Sequence, residues 1–243
     1  MIAFIPSKGR PSTKTHEMFE ASGFKVYHFI EPKDFDGYDV KNKINIGADD
    51  QGITFVRNFM LDFARTNEIK HFIVCDDDVN KFGIVEGSRA VSLPNAEALL
   101  KPFNIFKKSD FALGGINQRQ FAWSEKKNYR VNTGKVECCI FCQTDLITWR
   151  YKEDTKEDRD FVMQCLDNRQ SFVSFPRIHL NMPAIGTGPG GLNDHYQNNS
   201  DAVWARKLVI DWPGYARLIK QYGRTDAKLD YKQKAKDMGL KVI

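Results

Sequence analysis

No stretch of this chain approaches the roughly 18 consecutive apolar residues that a membrane helix needs. The amino terminus also lacks the basic-then-apolar layout of a secretory leader, so a soluble, cytoplasmic protein with no membrane partner is expected. Cysteine is scarce and odd in number, five in all, which speaks against a disulfide framework and suits a reducing compartment. Cys139 and Cys142 have zinc-type spacing, yet no second Cys pair and no His pair lies at a matching distance, so buried thiols on a core strand are expected. The glycine-rich run 184–194 neither closes with Gly-Lys-Ser/Thr nor stands as G-x-G-x-x-G directly after a strand, and kinase and dinucleotide readings lose their main support. Internal repeats, low-complexity tracts and Pro/Gly/Ser-rich linkers are also missing. With 243 residues and 42% hydrophobic content, residues 1–243 can form a single α/β domain around one substantial core.

The most informative segment is KHFIVCDDDVNKF, residues 70–82, where a short apolar run ends in three consecutive carboxylates. Ile73, Val74 and Cys75 read as the end of a buried parallel strand, which places Asp76, Asp77 and Asp78 at its carboxyl end, where open α/β sheets bind ligands. Three adjacent negative charges repel one another, and a divalent cation relieves them. Asp76 and Asp78, two apart, offer hard oxygen ligands to Mg²⁺ or Mn²⁺. A solvated turn or a helix cap is the other reading of the same residues. A calcium loop is excluded, because Lys81 stands where its turn needs glycine and Gly87 where its last carboxylate belongs.

The neighbouring segments alternate between strand and helix patterns. MIAFIP is a strand from the first residue, followed by a Pro6-Ser7-Lys8-Gly9-Arg10 turn and a helix from about Thr13. FKVYHFIEP is a second strand. Residues 43–79 read as strand, loop, amphipathic helix and strand, with Arg57 and Asn58 near the helix start. Lys8 and Arg10 suit phosphate oxygens or a base edge. Residues 110–120 read as a strand running into Gly114 and Gly115, which are expected to let backbone approach a ligand, with Gln118, Arg119, Gln120, Phe121 and Trp123 near that opening. Glu153 and Asp154 read as ordinary helix caps. His179, inside the alternation FVSFPRIHL, reads as a strand or core residue. An irregular extension closes the chain. From Arg206 to Ile243 there are ten basic and four acidic residues, a balance of +6 against +5 for the whole chain. Trp204, Trp212, Tyr215, Tyr222 and Tyr231 accompany those charges, so the segment can track a phosphate backbone with rings for stacking, or simply form solvated lysine-faced helices.

In order and spacing, residues 43–79 resemble the nucleotide-binding half of GT-A-type glycosyltransferases, in which an Arg-Asn pair on a helix precedes a strand ending in Asp-x-Asp. The opening PSKGRP, the VRNFMLDFA helix, the CDDDV strand end and the late GTGPGG run are together similar to the TET-associated glycosyltransferases of bacteriophages, and among them to enzymes that transfer arabinose to 5-hydroxymethylcytosine in DNA. The resemblance implies a GT-A-like (Rossmann-like), mostly parallel sheet flanked by helices, with a nucleotide-sugar-binding half (1–110), an acceptor and catalytic half (111–205) and a basic C-terminal segment (206–243). It implies a UDP-sugar donor held by Pro6, Ser7, Lys8, Arg10, Arg57, Asn58, Asp76 and Asp77, and Mn²⁺ or Mg²⁺ held by Asp78, Asp76 and His195. It also implies an inverting reaction in which Asp158, with Glu157 and Asp160 as competitors, takes the proton of the attacking hydroxyl. DNA containing 5-hydroxymethylcytosine is the implied acceptor. A polysaccharide, lipid or protein acceptor is the first alternative, and a binding module without turnover the second.

Overall fold

The computed structural model describes residues 1–152, 156–183, 200–221 and 223–243. Among the described residues ten strands form one sheet: β1 (Ile2–Ser7), β2 (Lys25–Ile30), β3 (Lys43–Asn45), β4 (His71–Cys75), β5 (Lys81–Glu86), β6 (Arg89–Leu93), β7 (Leu113–Gln118), β8 (Arg130–Val131), β9 (Cys139–Gln143) and β10 (Phe172–Asn181). Their order is β3-β2-β1-β4-β9-β7-β10-β5-β6, with β8 added against β10. The helices are α1 (Thr15–Ala21), α2 (Gly52–Thr66), α3 (Leu100–Phe106), α4 (Arg119–Ala122), α5 (Glu157–Asp167), α6 (Ser200–Asp211) and α7 (Tyr231–Asp237). The class is α/β, as expected, with most strands of the central sheet running in one direction.

Strand β4 shows why this sheet is buried on both faces. Phe72 and Val74 point into a cluster with Met60, Leu61 and Ala64 of α2 and Phe161, Val162 and Leu166 of α5. Ile73 and Cys75 point into the opposite cluster with Met18 and Phe19 of α1 and Phe103 and Phe106 of α3. Side chains alternate across a strand, so a run apolar at every position demands cover on both sides. Each of the larger side chains contributes about 1.5–3 kcal/mol by leaving water.

Two expectations need correction. First, β4 is parallel to β1 on one side only; on the other it pairs antiparallel with β9, Cys75 facing Cys139. An antiparallel neighbour begins where β4 ends, so Glu137 and Cys138 stand beside the Asp triplet. Second, the C-terminal part is not irregular. Its described residues fold as α6, the hairpin β11 (Ala216–Gln221) and β12 (Arg224–Leu229), and α7. Trp212, Leu208, Ala205 and Ala227 pack on Met163 of α5, with Tyr215 and Tyr231 at the margin. Trp212 is therefore a core side chain and Tyr215 and Tyr231 are partly covered by the same cluster, while Tyr222 lies outside the described residues.

Cys139 and Cys142 are buried on β9, as expected, and all five thiols are unpaired. Gly114 and Gly115 lie inside β7, not at an opening. A Cβ on Gly114 would come within 3.0 Å of Phe106 and Phe141, and one on Gly115 within 2.8 Å of the Val136 backbone, so close packing of these neighbours, not a ligand, requires glycine there. His179 is a fully buried strand residue facing Gly83 across the β10–β5 ladder, but both of its ring nitrogens are without a hydrogen-bond partner. Among the described residues no helix is long and apolar enough to cross a membrane.

Candidate active site

The carboxyl ends of β1 and β4, the entry to β9 and the first turn of α5 converge on one corner. Helix α2 supplies its central cation. Its buried positions are Val56, Arg57, Met60, Leu61 and Ala64, which put a guanidinium on the face that packs against the sheet. A charge buried at 3% exposure needs partners. Arg57 finds Asp76 at 2.9 Å and Glu157 at 3.0 Å, and so ties the end of β4 to the start of α5. Its guanidinium also lies 5.5 Å from the Tyr151 ring centroid. Asn58, next on the helix, exchanges two hydrogen bonds with the Tyr151 backbone, donating at 2.9 Å and accepting at 2.9 Å, and so fixes the segment that carries that ring.

The loop after β1 holds the other two aspartates. Arg10 Nη1 lies 2.7 Å from Asp77 and 3.1 Å from Asp78. Ser7 Oγ donates to Asp77 at 2.5 Å and lies 2.8 Å from the Tyr38 hydroxyl, which in turn accepts from the Arg10 amide at 2.9 Å. Thr15 Oγ1 donates to the Asp77 carbonyl at 2.6 Å and accepts from the Val79 amide at 3.0 Å. Asp77 is thus buried and bound from several sides, which makes it the clamp between the β1 loop and the triplet. Lys8 belongs to a separate cluster in which Lys8 and Lys33 share Glu31 and Asp50. Pro6 is a β1 position aligned with Phe29 of β2.

Asp76 and Asp78 behave differently from Asp77. Each keeps a quarter of its side-chain surface exposed. Burial of its surroundings pushes the Asp76 carboxyl up to about 7, opposed by Arg57 and reinforced by repulsion from Asp78, Asp158 and Asp77. Burial also raises the Glu157 carboxyl, against the pull of Arg57, and raises that of Asp158 with repulsion from Glu137 adding to it. Asp78 Oδ1 is buried and has no hydrogen-bond partner. Among the described residues no three His, Cys, Asp or Glu side chains converge as a ready-made metal cage. The donor set still fits a hard cation of the Mg²⁺ type, which takes one or two carboxylates and completes its shell with phosphate oxygens and water. The unpartnered Asp78 oxygen is the position that such an ion would satisfy.

The carboxylates at the start of α5 separate by their partners. Glu157 is taken by Arg57. Asp160 is buried, accepting from Trp212 Nε1 at 2.9 Å and Gln164 Nε2 at 2.6 Å, so it anchors the C-terminal segment and is not placed as a competing base. Among the described residues Asp158 Oδ1 accepts from the adjacent Arg159 amide at 2.8 Å, and its side chain keeps partial exposure. His195, Glu153, Asp154 and the glycine-rich run 184–194 lie outside the described residues.

Two site residues were not anticipated. Glu137, just before β9, pairs with Arg159 at 3.4 Å, and Arg159 also reaches Asp226 of β12 at 2.9 Å. Cys138 carries positive φ, and its carbonyl accepts from the Asp76 amide at 3.0 Å. The available signal was the acidic residue directly before the apolar run CCIFC, which has meaning only once that strand is known to be antiparallel to β4.

Among solved structures, the chain is similar to A197 from STIV at 11% identity and a TM-score of 0.46, covering 74% of this chain and 83% of that one. It is also similar to CMP:2-keto-3-deoxy-manno-octonic acid synthetase complexed with CTP at 13% identity and a TM-score of 0.44, covering 85% of this chain and 99% of that one. No curated protein sequence matches it. Residues 1–191 match the family model of the TET-associated glycosyltransferases, and the chain belongs to that family of glycosyltransferases.

Proposed function

We propose that the protein is a divalent-cation-dependent, inverting glycosyltransferase that moves a sugar, a pentose such as arabinose, from a UDP-sugar to the hydroxymethyl group of 5-hydroxymethylcytosine in DNA. The observation that carries this reading is the tie made by Arg57, which holds the triplet at the end of β4 and the Glu157-Asp158 pair of α5 on the two sides of one partly open corner. A donor diphosphate against the triplet and an acceptor hydroxyl against Asp158 then meet across the sugar.

In the displacement, the acceptor oxygen bonds to the anomeric carbon as the bond from that carbon to the diphosphate breaks. The hydroxyl proton passes to Asp158, and the electron pair departs with UDP. Burial and the neighbouring Glu137 raise the Asp158 carboxyl and so make it a stronger base. Arg57 orients Asp76 and Glu157, Asn58 fixes Tyr151 beneath that guanidinium, and Ser7, Arg10 and Asp77 hold the β1 loop against the triplet for the nucleotide. Asp76 and Asp78 would hold Mn²⁺ or Mg²⁺, which offsets the charge on the departing diphosphate. Pro6, at the end of β1, and Lys8, in the loop after it, would contribute to the nucleotide site from the same side.

Intact-mass analysis of DNA carrying 5-hydroxymethylcytosine, incubated with a panel of UDP-sugars, tests the proposal. The expected result is one added sugar mass per modified base, absent with unmodified DNA and absent with Asp78→Ala. Transfer only to a polysaccharide, lipid or protein acceptor would contradict the DNA assignment, and no transfer to any acceptor would contradict turnover itself.

A further inference from the structure

We propose that residues 119–135 and the cavity beneath them receive the acceptor nucleotide, with a pyrimidine in the cavity and the flanking strand on the surface; this rests on the DNA-directed reading above. Five basic residues stand here (Arg119, Lys126, Lys127, Arg130 and Lys135) against a single acidic one, Glu125. Arg119, Lys126 and Lys127 are exposed. Trp123 and Tyr129 are 59% and 50% exposed, and among the described residues only Phe55 joins them as an exposed aromatic. Cations interleaved with outward-facing rings form the surface that single-stranded nucleic acid uses, phosphates on the charges and bases on the rings.

The cavity has a volume of about 150 Å³ and is lined by Asn117, Phe121, Glu125, Arg130, Ser174 and Pro176, among others. A space of about 150 Å³ admits one benzene-sized ring, which matches a single pyrimidine and excludes a base pair. Its polar groups suit cytosine. Arg130 Nε is buried without a partner, while Nη2 of the same side chain donates to Glu125 at 2.6 Å. A guanidinium beside a carboxylate on one cavity wall offers the donor and the acceptor that the Watson–Crick edge of a flipped cytosine requires, the first for its ring acceptors and the second for its exocyclic amine.

The position is right for transfer. Asn117 lies near the end of β7, which stands two strands from β4 across β9, a separation of about 9–10 Å. Residues 134–138 run from the cavity wall to Cys138, whose carbonyl accepts from the Asp76 amide, and Gln118 Nε2 approaches Cys138 Sγ at 3.9 Å. An acceptor base in the cavity and a donor on the triplet are thus placed at the same edge of neighbouring strands.

Fluorescence anisotropy with a labelled single-stranded oligonucleotide containing one 5-hydroxymethylcytosine tests this. Trp123→Ala and Tyr129→Ala are each expected to weaken binding at least about fivefold, the low end of a lost stacking contact. The double variant Lys126→Glu/Lys127→Glu should lower the log–log salt slope by about 1.4, two single-strand phosphate contacts. Glu125→Gln should reduce the preference for hydroxymethylcytosine over hydroxymethyluracil as acceptor. Thermal midpoints of the surface variants should match the parent, and Arg217→Glu/Lys228→Glu on β11–β12 should bind within twofold of it. If the parent binds and modifies the oligonucleotide while every 119–135 variant binds within twofold, this site assignment is overturned and the functional reading stands. If the parent neither binds nor modifies it, both fall.

Discussion

The acidic corner at the end of β4 and the basic segment from residue 206 onward carry opposite charge, and they differ more in how that charge is answered. In the C-terminal segment the charges that bridge packed elements find partners within the chain, while Arg217, Lys220, Lys228, Lys232, Lys236 and Lys241 are exposed. Lys234 lies 2.5 Å from Asp167 and near the Trp212 and Tyr215 rings, Asp226 is held by Arg159 and Lys156, and Lys207 pairs with Asp211. At the end of β4, Arg10 and Arg57 each serve two carboxylates, the Asp76 carboxyl rises to about 7, and a buried Asp78 oxygen has no partner. Charges satisfied internally support the fold, whereas the corner left short of positive charge is the one proposed to take a ligand.

The largest expected effect belongs to the acidic corner. Asp158→Asn should lower kcat by about 10² to 10⁴ as the general base is lost, with UDP affinity retained in calorimetry. Activity near the parent's would move the base elsewhere. On the other side of the comparison, Trp212→Ala should cost about 3–5 kcal/mol of stability in urea unfolding, because it empties a packed site and strips Asp160 of a donor. An unchanged unfolding curve would mean that the C-terminal rings are not structural after all.

A third effect follows from acid. Burial holds the His28 imidazole down at about 4, with His16 adding to the effect. Its folded value lies below its unfolded value of about 6.5, so its contribution is complete above pH 6.5 and falls away as the pH drops toward 4. The loss is on the order of 3 kcal/mol. Urea unfolding at pH 7 and pH 4.5 should show it, and His28→Gln should flatten that part of the profile; an identical acid limb in the variant would assign the loss to other groups. Smaller again, Gly114→Ala should destabilise by about 1–3 kcal/mol through overpacking against Phe106 and Phe141. If it is neutral, the β7 glycines are not there for packing. Lys228→Glu, exposed on β12, should change stability by less than about 0.5 kcal/mol, and a larger loss would show that the hairpin's surface charges are structural.

Much of the acidic corner was legible locally. The apolar run before the triplet, the loop after the first strand and the helix bearing Arg57 each announce themselves through periodicity and neighbouring residues. What the pattern could not reveal depends on distant partners. Strand β9 pairs with β4 from more than sixty residues downstream, bringing Glu137 and Cys138 to the site. Asp160 looked like one more carboxylate at a helix start until Trp212, 52 residues on, filled its hydrogen bond. Gly114 and Gly115 looked like a ligand opening because their packing partners, Phe106, Phe141 and Val136, lie on other elements. Net charge alone does not separate these roles, since lysines count alike whether they face Asp167 or solvent.

In the proposed reaction Asp76 and Asp78 bind the donor diphosphate through a divalent ion. Calorimetric titration of UDP in Mn²⁺ and again in EDTA tests it most directly, with the parent protein and Asp78→Asn side by side. Tight binding is expected only for the parent with Mn²⁺. Equal UDP affinity in EDTA, or a variant that binds UDP with Mn²⁺ as the parent does, would contradict it.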